Sequence, residues 1–298
     1  MNIQQQSESF LLRLENRRRN PGRPSTLSAY RSYIRKWIIP QLGEVELGDV
    51  KNAAVRNFVV ELGKADLAPA TIGSILCILK EIVASAVNED GDLLYPRQWN
   101  TDFIDAPIVN QKDQRAPIIG RSDLQTALGR SQGQFKTLYA LLAGTGLRVS
   151  ESMALRAGED DNEGSFWLPG QSKLIIRGQR RLGVVAETKT PAGMREIDLV
   201  PELNDFLRTR ISLNGKFLFN DTNLFRRAKA SGIPGHHSFR RFRATHLNAE
   251  NVPTGLIQFW LGHSAKTTTD RYIRVGSDIE ARRTWCIRAG LGFELPRE

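Results

Sequence analysis

Only two of the 298 residues are cysteine, Cys77 and Cys286. They stand far apart, and neither has a partner at a metal-ligand or redox spacing, so both read as reduced thiols. No apolar run approaches the roughly 20 residues needed to span a bilayer. The opening stretch MNIQQQSESFLLRLENRRR confines its apolar pair Leu11-Leu12 between polar residues, unlike a secretory signal. These absences point to a cytoplasmic chain without membrane association. Cofactor signatures are missing too: no glycine-rich dinucleotide turn, no P-loop, no HExxH and no paired CxxC. Neither a cofactor nor a bound metal is expected.

What is present is positive charge, unevenly spread. Lys and Arg number 42 against 32 Asp and Glu, a net of +10. Residues 1–40 carry +6, residues 41–112 carry −5 and residues 113–298 carry +9. A positive surface favours polyanions through phosphate neutralisation and counterion release, although charge alone does not establish a nucleic-acid partner.

Apolar periodicity divides the chain. After the basic run Arg17-Arg18-Arg19, Ser25 or Thr26 is a plausible cap for a helix carrying Tyr30, Tyr33, Ile34 and Trp37, with Pro40 and Gly43 as stops. A second helix is expected from Asn52 to Leu62. A third opens at Pro69, carries Ile72, Ile75, Leu76, Leu79, Ile82, Val83, Ala86 and Val87 on one stripe, and ends near Gly91. Residues 104–118, with two prolines and no period, read as a linker. Helices are then expected near Ser122-Asp123 and over Phe135 to Ala143. From Ser165 to Leu199 the runs FWL, KLIIR and GVVAE are strand-like, and PAGM is a turn before REIDLV. Helical patterns return after Pro201. The expected fold class is mainly α with a small antiparallel β-sheet.

Four segments hold residue types suited to phosphate chemistry: TGLRVSE (145–151), ETKTPAGMREIDL (187–199), HSFRRFRATHL (237–247) and LGHSAKTTTDRYI (261–273). Gly146 lets a turn deliver Arg148 to a helix start, where Glu151, three residues on, can pair with its guanidinium. His237 and Arg240, also three apart, share one side of a helical turn. His263 follows the helix-ending Gly262, and Tyr272 lies nine residues later. Taken singly, each has an ordinary structural explanation as a surface cation, a capping histidine or a half-buried tyrosine.

In this order and spacing the set resembles the tyrosine recombinase (phage integrase) family, whose motifs are an Arg in TGxRxSE, a Lys in a β-hairpin, HxxR, LGH and a Tyr about nine residues beyond. The resemblance spans nearly the whole chain. It implies a two-domain DNA clamp: a helical core-binding (SAM-like) domain over 1–106, a linker over 107–118 and a catalytic domain over 119–298. It also implies site-specific recombination through a 3′-phosphotyrosyl intermediate. Tyr272 would be the nucleophile, Arg148 and Arg240 would offset charge on the phosphate, Lys189 would be the general acid, and His237 and His263 would bond the phosphate or assist proton transfer. Glu151 fits an orienting role. Lys173 is the alternative general acid, and the other basic residues near it (Arg177, Arg180, Arg181 and Arg195) would meet DNA phosphates or solvent.

Family sequences usually carry HxLRHT where this chain has HSFRRF. Phe239 keeps an apolar anchor, Arg241 replaces a histidine with its role open, and His236 gives no HxxR spacing. The expected partners are double-stranded DNA with inverted-repeat half-sites and a homo-tetramer assembled on it from free monomers, with an accessory DNA-bending protein as a further possibility. The tail ARRTWCIRAGLGF would then pack on a neighbouring protomer through Trp285, Ile287 and Leu291. The short stretch ahead of the first periodic helix leaves no room for a further arm-binding domain. A type IB topoisomerase and a catalytically silent DNA-binding relative are the alternatives. Integration, excision, dimer resolution and element mobility all remain open.

Overall fold

The computed structural model describes residues 1–19, 21–110, 117–181, 183–188, 190–212, 216–220, 222–263 and 277–296. The chain forms two compact units, Met1–Arg115 and Ala116–Glu298.

The first unit is helical. It opens with α1 (Ile3–Glu15), which the sequence patterning did not single out. Its signal is a capping box: Asn2 Oδ1 accepts the Gln5 N–H at 3.0 Å and Gln5 Oε1 accepts the Asn2 N–H at 3.1 Å. The next helix, α2 (Pro24–Tyr33), starts earlier than Ser25 or Thr26, because Pro24 takes the first helical position, where its missing N–H costs nothing. Pro40 does not stop the run. The chain passes through a π-turn (Ile34–Ile38) into α3 (Ile39–Leu42), the Ile39 N–H reaching back to Ile34 O. Widening the turn makes room for a ring that would otherwise press on the carbonyl four residues back. Then follow α4 (Asn52–Lys64), α5 (Pro69–Ala84) and α6 (Thr101–Ile104). Helix α5 ends at Ala84, sooner than expected, and Val87 pairs with Leu93 across a turn held by Asn88 Oδ1. Ile72, Ile75, Leu79 and Ile82 of α5 meet Ile3, Ile38, Leu47, Phe58 and Leu62 in a core whose members are almost fully buried. Each such side chain contributes about 1.5–3 kcal/mol.

The second unit is built around α8 (Gly133–Thr145), which is buried on every side from Thr137 onward, as its all-round apolar sequence requires. Before it lies α7 (Arg121–Arg130), and after it the short α9 (Val149–Ser152). A four-stranded sheet follows in the order β1 (Leu155–Ala157), β2 (Ser165–Leu168), β3 (Lys173–Ile176), β6 (Arg195–Asp198). The expected antiparallel pairing holds for β2–β3–β6, but β1 joins β2 in parallel. A separate antiparallel hairpin, β4 (Gly178–Arg181) and β5 (Val184–Glu187), is inserted between β3 and β6. The remaining helices are α10 (Pro201–Arg208), α11 (Leu224–Ala230), α12 (His237–Ala249), α13 (Thr254–Leu261) and α14 (Ile279–Ala289). Among the described residues no helix is long and apolar enough to cross a membrane.

The tail departs from expectation, because it docks on its own unit. Arg282 in α14 reaches Glu196 Oε2 at 2.7 Å and Asp198 Oδ2 at 3.2 Å, both on β6. Arg243 donates to Gly290 O at 2.6 Å, and Phe293 packs edge-on against Phe242. Trp285 and Leu291, expected to anchor a neighbour, lie half-buried against this unit's core, and of the three only Ile287 is exposed. Replacing Arg282 by Met strands the buried Asp198 carboxylate. Urea unfolding is expected to show a loss of about 3 kcal/mol, with faster protease cleavage beyond residue 278.

Candidate active site

Gly146 ends α8 in the left-handed region at φ 70°, and an added Cβ would come within 2.6 Å of Leu261. That turn places Arg148 at the N-cap of α9. Glu151 folds back beneath it: its Oε2 accepts the Arg148 backbone N–H at 2.9 Å and its Oε1 accepts the Arg148 guanidinium at 2.6 Å. Glu151 is buried, whereas the Arg148 side chain keeps 41% of its surface exposed. A pinned carboxylate thus presents a guanidinium to solvent in a fixed orientation. Burial pushes the Glu151 carboxyl up, but the Arg195 and Arg148 charges and hydrogen bonds outweigh it and hold it below the ordinary carboxylate range.

Helix α12 supplies the next pair. Arg240 is buried, donating through Nη1 to Gly146 O at 3.0 Å and through Nη2 to Leu261 O. It therefore ties the turn before Arg148 to the turn before His263. Burial first, and the Arg148 charge second, lower its pKa to about 10, so it stays protonated through neutral pH. One turn earlier His237 is exposed. Burial of part of its ring, together with the Arg241, Arg240 and Arg148 charges, lowers its pKa and leaves it neutral at pH 7. His263, exposed after the left-handed Gly262, donates its backbone N–H to Gln258 O at 3.0 Å.

Four of the six expected residues, Arg148, the α12 pair His237 and Arg240, and His263, thus come from three separate segments into one neighbourhood. Tyr272 and Lys189 lie outside the described residues. Lys173, the alternative acid, donates from Nζ to Glu196 Oε1 at 2.9 Å and is mostly buried on the sheet.

Several neighbours expected to face DNA or solvent are engaged within the unit instead. Arg177 donates two hydrogen bonds to the Asp160 carboxylate, from Nη1 to Oδ1 and from Nη2 to Oδ2, and Arg180 lies 4.0 Å over the Phe217 ring while donating to Phe219 O. Arg195 is wholly buried against Glu151. The residue left open in sequence, Arg241, donates to Pro117 O at 3.0 Å. Phe239 is fully buried, stacked on Tyr139 with centroids 5.4 Å apart, so it does act as an apolar anchor. His236 is buried between Tyr139 and Phe225, facing away from any role in the HxxR pair. Both cysteines are free thiols.

Three guanidiniums, those of Arg148, Arg195 and Arg240, surround the single Glu151 carboxylate, an excess of positive charge suited to a phosphate. The profile of the phage integrase family matches residues 124–278, and that of the phage integrase N-terminal SAM-like domain matches residues 14–63. The chain belongs to the phage integrase family. It is accordingly a tyrosine-type site-specific DNA recombinase, an enzyme that breaks and rejoins DNA strands.

Among its relatives is the tyrosine recombinase XerD of Corynebacterium glutamicum, 24% identical, with 88% of this chain and 90% of that protein covered. The tyrosine recombinase XerC of Herpetosiphon aurantiacus is 25% identical, with 93% and 92% covered. The integrase of transposon Tn1549 in complex with a circular intermediate DNA superposes with a TM-score of 0.65 at 19% identity, covering 91% of this chain and 94% of that one. A lambda integrase tetramer bound to a Holliday junction gives a TM-score of 0.60 at 17% identity, covering 90% and 79%. At these identities the superpositions establish the shared phage integrase fold.

Proposed function

We propose that this recombinase cleaves DNA with Tyr272, in a site completed by Arg148, Lys189, His237, Arg240 and His263. The Tyr272 oxygen attacks a backbone phosphorus in line, forming a 3′-phosphotyrosyl bond and releasing a 5′-hydroxyl. The phosphodiester energy is kept in that bond, so religation needs no ATP. Charge developing on the non-bridging oxygens is offset by Arg148 and Arg240, since a guanidinium binds phosphate oxygens bidentately and stays charged. Lys189 protonates the leaving 5′-oxygen, and His237 and His263 bond the phosphate or relay a proton. The observation that carries this reading is Arg240, whose guanidinium joins the Gly146 and Leu261 carbonyls and so draws the Arg148 and His263 turns together.

Residues 1–106 then serve as the core-binding domain, 119–298 as the catalytic domain and 107–118 as the linker, closing on double-stranded DNA. Since one of the structural relatives is a lambda integrase tetramer bound to a Holliday junction, free monomers assembling as a homo-tetramer on inverted-repeat half-sites follow by analogy. The working place is the cytoplasm, on the nucleoid.

The test is a pool of nicked suicide duplexes with randomised arms, incubated with the purified protein and resolved under denaturing conditions. A protein–DNA adduct with a free 5′-hydroxyl on the released strand is expected. Absence of any adduct under conditions where DNA is bound would reject the mechanism.

A further inference from the structure

One arginine outside the expected set touches three of the site's segments at once. Arg195 opens β6, and its side chain is 1% exposed. Its Nε donates to Trp260 O at 2.7 Å, at the end of α13 and three residues before His263. Its Nη1 donates to Gly193 O at 2.9 Å, in the turn Pro191–Gly193 that follows Lys189. Nη1 and Nη2 both reach Glu151, at 3.3 and 3.0 Å, and Glu151 holds Arg148. The backbone at Gly262 lies so close that an added Cβ would stand 2.8 Å from Nη1. The glycine before His263 thus gives room to this guanidinium as well as the left-handed turn.

We propose that Arg195 is a positioning residue for strand cleavage, one buried fork that holds the Glu151–Arg148 pair, the Pro191–Gly193 turn and the Trp260–Gly262 turn in register. This rests on the assignment of Arg148, Lys189 and His263 made above. Arginine suits the task because its planar fork offers five N–H donors in fixed directions, whereas a lysine ammonium is a single point on a flexible stem. Displacements of about 1 Å at such a site lower rates by about 100-fold.

A structural prop and a positioning residue differ in what they leave behind, and three variants separate them. Arg195→Lys keeps the charge and loses the fork. With DNA affinity within about threefold of the unaltered protein and cooperative thermal unfolding retained, its single-turnover adduct formation is expected to fall about 100-fold. In Arg195→Gln the buried Glu151 is faced by Arg148 from α9 and by Arg240 from α12, without its β6 partner. Its carboxyl then protonates more readily, and the acid-side loss of cleavage, which in the unaltered protein is set by His237, moves to higher pH. Glu151→Gln introduced with Arg195→Gln removes both charges together, which protects folding. That double variant is expected to return the acid limb to the pH of the unaltered protein while remaining slow.

Any folded variant that cleaves within threefold of the unaltered protein would overturn the proposal. So would an Arg195→Gln profile whose acid limb stays where the unaltered protein has it, or a failure of all three variants to fold, which would reduce Arg195 to a folding residue. An unaltered protein that binds DNA without forming an adduct would overturn instead the assignment beneath it.

Discussion

Tyr272→Phe is expected to abolish the covalent protein–DNA adduct while leaving DNA affinity within about twofold. The substitution removes one oxygen, the only atom of the side chain able to form a phosphoester, and keeps the ring. Tyrosine has an unperturbed pKa near 10, so the hydroxyl must be activated where it meets the phosphate, and phenylalanine offers nothing to activate. The net charge of +10 is the sum over many basic residues, and this substitution removes none of them, so affinity has little reason to change. Mixing this variant with nicked suicide duplex and running a denaturing gel gives the answer. An adduct that persists would place the nucleophile elsewhere and dismantle the catalytic assignment.

The second large effect is expected at Arg240. Changing it to Met should lower single-turnover cleavage by about 100- to 1,000-fold, the usual loss when one fixed donor to a developing oxyanion is removed. It should also destabilise the second unit. The Gly146 and Leu261 carbonyls each lose a buried donor, at about 1–3 kcal/mol apiece, offset in part because a cation no longer has to be buried. Arg240→Lys separates the two roles: it keeps the charge but cannot reach both carbonyls while facing a phosphate. It should recover part of the stability and little of the rate. Thermal unfolding and single-turnover cleavage on the same preparations decide it. Cleavage within threefold of the unaltered protein in Arg240→Met would remove Arg240 from the site.

The positions that sequence made legible are those whose signal is local. Gly146 before Arg148, Glu151 three residues on, and the His237–Arg240 pair are each fixed by one turn of backbone, and the structure places them as that spacing requires. The stripe of α5 was readable for the same reason. Local signals failed where a distant partner decided the outcome. Pro40 reads as a stop, yet a π-turn packed into the core carries the helix through it. Arg195, Arg177 and Arg180 read as cations meeting DNA phosphates or solvent, yet Glu151, Asp160 and the Phe217 ring take them up. Leu291 and Trp285 read as anchors for another protomer, yet they lie against their own core.

By itself, then, the sequence determined the family, the chemistry and which residue types stand at Arg148, His237, Arg240, His263 and Tyr272, because each motif is a short run of fixed offsets. Only the tertiary structure decided which cations are spent internally and which stay available, because pairing depends on what folding brings alongside. Arg148 and Arg195 are indistinguishable as letters. The carboxylate of Glu151, lying between a helix N-terminus and a strand, presents the first to solvent and buries the second beneath the site.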